Sequence, residues 1–127
     1  MKRLITALAA LCVLLLPSCK KESLSYGKYA AETRDGVLTV DLVNENDCIF
    51  QFEGGEAANG GYYIKNQTIH FWCNIIYPST NHQIWWWFEY NNTYGKINYG
   101  SFCVRAIRNF YDESRVFDIT FNPVAGI

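Results

Sequence analysis

The sequence predicts an all-β fold, an antiparallel meander of about seven or eight strands that forms a small barrel or a two-sheet sandwich. Between residues 37 and 121 apolar residues alternate with polar ones, and the spacing of an amphipathic helix does not recur. The alternating runs are rich in Val, Ile, Tyr, Phe, Trp and Thr, and segments rich in Asn, Asp and Gly separate them. Half of the residues are hydrophobic and 17% are aromatic, which is enough to fill a core.

Residues 1–18 are predicted to be a signal peptide. Lys2 and Arg3 precede residues 4–16, which form an uncharged and mainly apolar stretch. This stretch has 13 residues, whereas a helix needs roughly 20 to cross the hydrocarbon core of a bilayer. A short apolar stretch behind basic residues is typical of a secretory signal and not of a membrane span.

The signal peptide runs into Leu16-Pro17-Ser18-Cys19, which resembles the lipobox of bacterial lipoproteins, although Pro17 stands where Ala, Ser, Thr or Val is usual. The resemblance implies cleavage before Cys19 and lipidation of its thiol. Residues 19–27 are then a short tether. Lys20 follows the cysteine, and a residue other than Asp at this place resembles the signal that sorts enterobacterial lipoproteins to the outer membrane. Which leaflet of that membrane carries the anchor stays open. The alternative is an ordinary secretory peptide in which Cys19 is a bystander.

Cleavage before Cys19 removes 18 of the 127 residues, and the 109 that remain predict one domain, over residues 28–127. Because Lys2 and Arg3 are lost, nine basic and twelve acidic side chains remain, a formal charge of −3. This acidic balance argues against nucleic acid as a partner.

A first strand is predicted near residues 29–33, and a hairpin follows it. Its turn is the Asn-Glu-Asn-Asp sequence at residues 44–47. Pairing 42 with 48, 40 with 50 and 38 with 52 puts six apolar side chains on one face: Leu38, Val40, Leu42, Cys48, Phe50 and Phe52. Residues 54–61 contain four glycines and are predicted to be a flexible loop.

Two turns set the register of the next three strands. A turn at Asn66-Gln67 sets 63 against 70 and 62 against 71, and a four-residue loop at residues 78–81 sets 75 against 84, 73 against 86 and 71 against 88. Both registers place the same apolar residues on one face, which is the predicted core. These residues are Tyr62, Ile64, Ile69, Phe71, Cys73, Ile75, Ile84, Trp86, Phe88 and Tyr90. The last two strands are predicted at residues 102–106 and 117–121.

The opposite face of these strands mixes aromatic and polar side chains, and in this register Trp72 faces Trp87 while His70 faces Glu89. Flat aromatic rings among hydrogen-bonding groups are typical of sites for sugars and apolar ligands. The alternative interpretation is a second half of the core, covered by another sheet or a loop. The candidate ligand-binding residues are Trp72, Trp85, Trp87, Tyr63, His70 and Glu89.

Three cysteines remain once Cys12 leaves with the signal peptide and Cys19 is lipidated. Cys48 and Cys73 fall on predicted core faces, whereas Cys103 falls on the opposite face. Two interpretations stay open: a Cys48–Cys73 disulfide, which export permits, or buried free thiols.

No constellation in the sequence predicts catalysis. The chain has two histidines, His70 and His82, and no zinc-binding spacing, nucleophile elbow or phosphate loop. We therefore predict a protein that is not an enzyme and that uses no cofactor and no metal.

The lipobox followed by Lys20-Lys21, the small all-β domain, and the hairpin segments Gly61-Tyr62-Tyr63-Ile64 and Thr68-Ile69-His70-Phe71 resemble small lipoproteins of the Bacteroidetes, some of them lipocalin-like. The resemblance implies an apolar ligand held in a barrel. From the residues themselves we expect binding of a glycan fragment or a small apolar molecule by the aromatic face or the barrel interior. The alternative is a protein-interaction or inhibitor lipoprotein of the cell envelope.

Overall fold

The computed structural model describes residues 24–80, 82–88 and 95–124, and all regular secondary structure in these ranges is β-strand. The strands there are β1 (Gly27–Thr33), β2 (Gly36–Leu42), β3 (Asp47–Phe52), β4 (Ala58–Lys65), β5 (Thr68–Cys73), β6 (Ile84–Phe88), β7 (Lys96–Asn98), β8 (Ser101–Phe110) and β9 (Glu113–Pro123). The all-β prediction is confirmed. None of the described residues forms a helix long and apolar enough to span a bilayer. The predicted signal peptide and Cys19 lie outside the described residues.

The strands close into an antiparallel barrel, which is the first of the two architectures that the sequence predicts. Strands β1 to β5 pair in chain order; β5 then pairs with β7, β7 with β8, β8 with β9, and β9 with β1. This ring has eight strands, and β6 is an additional strand. β7 pairs with residues 101–103 of β8, and β6 pairs with residues 106–110 of the same strand.

Two predicted hairpin registers are confirmed. β2 and β3 pair Leu38 with Phe52 and Leu42 with Cys48, and β4 and β5 pair position 63 with 70 and 62 with 71. Asn66 and Gln67 have φ angles of 50° and 67°, as a tight two-residue hairpin turn requires. The predicted loop at residues 54–61 is shorter than expected, because its last four residues belong to β4.

The predicted register between β5 and β6 is wrong. Ile76, and not Cys73, is the bridge partner of Trp86, and β6 pairs along its length with β8. The cause is an extra residue after β5. Cys73 and Ile76 both face the core, and two residues lie between them, whereas a regular strand would place only one residue between successive inward-facing side chains. Ile75, placed in the core from its sequence, is therefore 46% exposed, whereas Ile76 is fully buried.

Aromatic rings fill the barrel interior. Phe71 is at their centre, with ring centroids 5.2 Å from Phe50, 5.6 Å from Phe88 and 5.7 Å from Phe102. Of the ten predicted core residues, five are buried: Tyr62, Ile69, Phe71, Trp86 and Phe88. Cys73 and Ile84 pack partly buried against them, Ile64 and Ile75 are exposed, and Tyr90 lies outside the described residues.

A largely buried charge network lies at one end of the barrel. Asp35, in the turn between β1 and β2, accepts hydrogen bonds from Arg108 Nε at 2.6 Å and from Trp86 Nε1 at 2.7 Å. Arg108 Nη2 donates to the other carboxylate oxygen of Asp35 at 3.1 Å. We call this the distal end. The chain enters the barrel at the opposite end, where the first residue of β1 pairs with the last residue of β2. The turn between β8 and β9 also lies at the distal end.

Candidate ligand-binding face

Three ring-bearing side chains, Tyr63, His70 and Trp72, form a strip on the outer face of the β4–β5 hairpin, and we call them the aromatic strip. Tyr63 and His70 are direct cross-strand partners. Their rings are stacked, with centroids 4.6 Å apart and planes 9° from parallel. The Trp72 ring follows at 6.5 Å from Tyr63. The confirmed hairpin register therefore places half of the predicted ligand-binding residues together.

The indole of Trp72 lies flat on the barrel because its partner on β4, Gly61, has no side chain. A Cβ added to Gly61 would meet Trp72 Cζ2 at 2.1 Å and Cε2 at 2.4 Å. Gly61 is buried although it belongs to the outer face, so the indole covers it. Trp72 itself is 42% exposed, and its outward side is therefore open to solvent.

The polar atoms beside the strip have assignable roles. The Thr68 hydroxyl donates to the carbonyl oxygen of Lys65 at 2.6 Å, and it lies 3.0 Å from His70 Nε2. Since the hydroxyl has one hydrogen, which Lys65 receives, His70 Nε2 must be the donor in this second bond. In the neutral imidazole, Nδ1 is then the acceptor of the ring.

The strip is a solvent-facing surface and not a second half of the core. The core of a barrel lies inside the ring of strands, and the interior here is filled by the Phe71 cluster. Tyr63 is 45% exposed, which agrees with the exposure of Trp72. An exposed patch of large rings is typical of a recognition surface.

Trp85 and Trp87 lie apart from the strip, and the prediction that Trp72 faces Trp87 is wrong. Trp87 pairs with Ile107 and Trp85 pairs with Asn109, both on β8. In the amide orientation that satisfies its partners, Asn109 Oδ1 accepts from Trp87 Nε1 at 2.8 Å and from Trp85 Nε1 at 3.2 Å. Both indoles are half-buried, so this cluster is an outer structural contact between β6 and β8.

Asn109 was not among the predicted site residues. Its role depends on the pairing of β6 with β8, strands that are separated by more than ten residues of chain, and no local pattern indicates that pairing.

The predicted pairing of His70 with Glu89 falls partly outside the described residues, because Glu89 is not among them. His82, the second histidine, stacks on Tyr77 with ring centroids 4.0 Å apart. Within residues 24–80, 82–88 and 95–124, no group of three or more His, Cys, Asp or Glu side chains could hold a metal ion.

Cys48 and Cys73 are free thiols, and the interpretation that they form a disulfide is wrong for this structure. Both residues pair with Gly60, Cys48 from β3 and Cys73 from β5. Two strand spacings separate their Cα atoms by about 9–10 Å, and a disulfide needs less than about 7 Å. Burial raises the pKa of both thiols, with the charge of Cys73 adding to the effect on Cys48. For Cys73 the pKa rises to about 12, against a hydrogen bond with the Phe88 backbone that lowers it.

The chain is therefore a small antiparallel β-barrel, and the aromatic strip is a candidate ligand-binding face on its outer wall. A comparison of the chain with protein-family models, with curated proteins and with solved structures found no match.

Proposed function

We propose that this chain is a non-enzymatic binding lipoprotein of the bacterial cell envelope, and that it takes a glycan fragment on the aromatic strip. The observation that carries the proposal is the Trp72 indole, which lies flat over Gly61 with its other side exposed. A flat ring open on one side can stack against the apolar C–H side of a sugar ring.

Polar groups along the strip favour a sugar over a purely apolar molecule. His70 Nδ1 offers an acceptor and Lys65, next to the strip, offers an ammonium group. Sugars need such groups because each hydroxyl that loses water on binding requires a new hydrogen-bond partner.

An apolar ligand inside the barrel is the less supported reading. To enter, it would have to displace Phe71 or Phe50 from the closely packed interior, where the centroids of these two rings are 5.2 Å apart. Loss of a buried phenylalanine ring from a core costs about 3–5 kcal/mol, which a small ligand would have to offset.

The anchor is part of the proposal. Lipidation at Cys19 would hold the barrel at the outer membrane, and residues 20–27 allow a separation of at most roughly 26 Å from the lipid. Two or three acyl chains give stable attachment, whereas one gives marginal attachment. Cys19→Ser should give an unprocessed precursor or a soluble product; retention in the membrane fraction at the wild-type level would contradict lipidation there.

A protein-binding function is the second candidate, and the exposure of Ile75 favours it. This aliphatic side chain has no use in sugar recognition, but it adds apolar area of the kind found in protein interfaces. In this case the strip would dock on an envelope protein, as an interaction or inhibitor lipoprotein does. Pull-down from envelope extract with wild type and Trp72→Ala should recover a stoichiometric partner with the wild type alone.

Tryptophan fluorescence separates these functions. We expect a saturable change in emission on titration with soluble glycans or peptidoglycan fragments, and no change with lipids. Absence of a response to every glycan, together with a protein partner in the pull-down, would overturn the glycan proposal in favour of the second candidate.

A further inference from the structure

A cavity lies at the distal end of the barrel, and none of its lining residues belongs to the aromatic strip. It has a volume of about 290 Å³ and lies between the turn after β1, the start of β6 and the hairpin of β8 and β9. Its lining consists of Arg34, Ile84, Arg108, Phe110, Glu113 and Arg115.

Arginine is concentrated at this cavity. The chain has a net charge of −1 and five arginines, four of them in the described ranges, and three of those four line the cavity. The fourth, Arg105, lies on the outer wall of β8 and pairs with Asp118 at 3.4 Å. The turn after β1 and the β8–β9 hairpin, which are distant in sequence, therefore bring three guanidinium groups to one place in an acidic protein.

Arg108 is held in a fixed orientation at the base of the cavity. Asp35 binds its Nε and one Nη atom, and the residue is 8% exposed. Asp35 occupies the edge formed by Nε and Nη2, so a further oxyanion would use the second edge, formed by Nη1 and the remaining N–H of Nη2. A guanidinium held in this way loses little freedom on binding, and such a pair of N–H donors matches a carboxylate or a phosphate.

The carboxylates nearby do not balance the three arginines. Asp35 is engaged with Arg108 and Trp86, and Glu113 lies 3.9 Å from Arg115, with both side chains mostly exposed. An exposed pair at that distance contributes little. The three arginines and the two carboxylates together keep one excess positive charge, which a bound anion would neutralise.

The cavity also has an apolar side. Ile84 and Phe110 contribute to its lining, and the guanidinium carbon of Arg108 lies 5.6 Å from the centroid of the Phe110 ring. We propose that this cavity binds a small organic anion, a carboxylate or a phosphate ester that carries an apolar body. The site is separate from the aromatic strip and does not depend on the glycan proposal.

The test is an NMR titration of the full chain at low ionic strength with three probes: benzoate, phenyl phosphate and inorganic phosphate. We expect benzoate or phenyl phosphate to shift the Arg108 Nε–H resonance saturably, and the tighter of the two identifies the anionic group. Inorganic phosphate should bind at least about tenfold more weakly than phenyl phosphate, because it has no apolar body.

Arg34→Gln and Arg115→Gln remove charge at solvent-exposed positions, and Arg105→Gln is the matched control on the outer wall. Each of the first two should weaken binding at least about tenfold, because each removes a charge-assisted hydrogen bond, while the control binds as the wild type does. Thermal melts verify that all three variants fold. An equal loss in Arg105→Gln, or no saturable shift with any probe, would overturn the proposal.

Discussion

The indole of Trp72 covers Gly61, its direct partner across the β4–β5 hairpin, so closely that a Cβ at position 61 would lie 2.1 Å from the ring. A glycine inside a strand weakens the sheet, because it adds backbone freedom and no side chain to pack. An aromatic ring laid across it restores the missing contact. The same contact fixes the ring in a flat position, so one structural device supports both the hairpin and the proposed site.

The inner and outer faces of the barrel wall should respond differently to truncation. Phe71→Ala and Phe88→Ala remove buried rings and should each destabilise the fold by about 3–5 kcal/mol, enough to unfold a marginal domain. Trp72→Ala should cost about 1 kcal/mol or less, since 42% of that residue is already exposed to solvent. Thermal and urea melts of the three variants measure this. A Trp72→Ala loss as large as that of Phe71→Ala would show that the outer face is covered.

Asp35 should make the free energy of unfolding of the barrel depend on pH in the acidic range. Burial alone would raise the pKa of Asp35, but hydrogen bonds from Arg108 and Trp86 and the charges of Arg108 and Arg34 outweigh it, so the pKa lies below its ordinary value of 3.8. A carboxylate with a lowered pKa stabilises the fold above pH 3.8, and this stabilisation is lost as the pH falls through the folded-state pKa.

Asp35→Asn should therefore be less stable than wild type at pH 7, by about 3–5 kcal/mol, because Arg108 keeps its charge in a buried place. The difference should shrink as the pH falls below 3.8. Urea melts between neutral and strongly acidic pH measure it, and Asp118→Asn, in the exposed pair with Arg105, is the control. A difference between Asp35→Asn and wild type that is constant with pH would contradict the assignment.

The two inner thiols should be slow to react. With raised pKa values, Cys48 and Cys73 carry little thiolate at pH 8, and thiolate is the reactive form. Alkylation of the folded protein, followed by peptide mapping, should label them only after unfolding. A Cys48–Cys73 linked peptide in a non-reducing digest would show that the strands around Gly60 move closer than this structure has them.

Local turn chemistry made part of the fold predictable. The turns at residues 44–47 and 66–67 join strands that are neighbours in the sequence, so their residue types fix the register of both hairpins. The register after β5 was not predictable, because the extra residue before Ile76 reverses the alternation and no residue type marks it. The pairings of β6 with β8 and of β1 with β9 join distant segments, which periodicity cannot identify.

The candidate site was predictable to the same extent as its hairpin. Tyr63, His70 and Trp72 were correctly placed together, since they depend on one tight turn. Trp85 and Trp87 were wrongly joined to them, since their position depends on β8. The role of Gly61 was missed because glycines 54 to 61 indicate a loop, whereas this glycine lies in a strand beneath an indole.

The most direct test of the account is the affinity of Gly61→Ala for the glycan that gives the largest fluorescence change with the wild type. The substitution keeps every side chain of the aromatic strip and only adds a methyl group where the Trp72 ring lies. Tyr26→Ala, which removes an exposed ring outside the strip, is the control, and thermal melts verify folding. We predict that Gly61→Ala weakens glycan binding at least about tenfold, as Trp72→Ala does, while Tyr26→Ala binds as the wild type; equal affinity in all four proteins would contradict the proposal that the flat Trp72 indole is the glycan-binding surface.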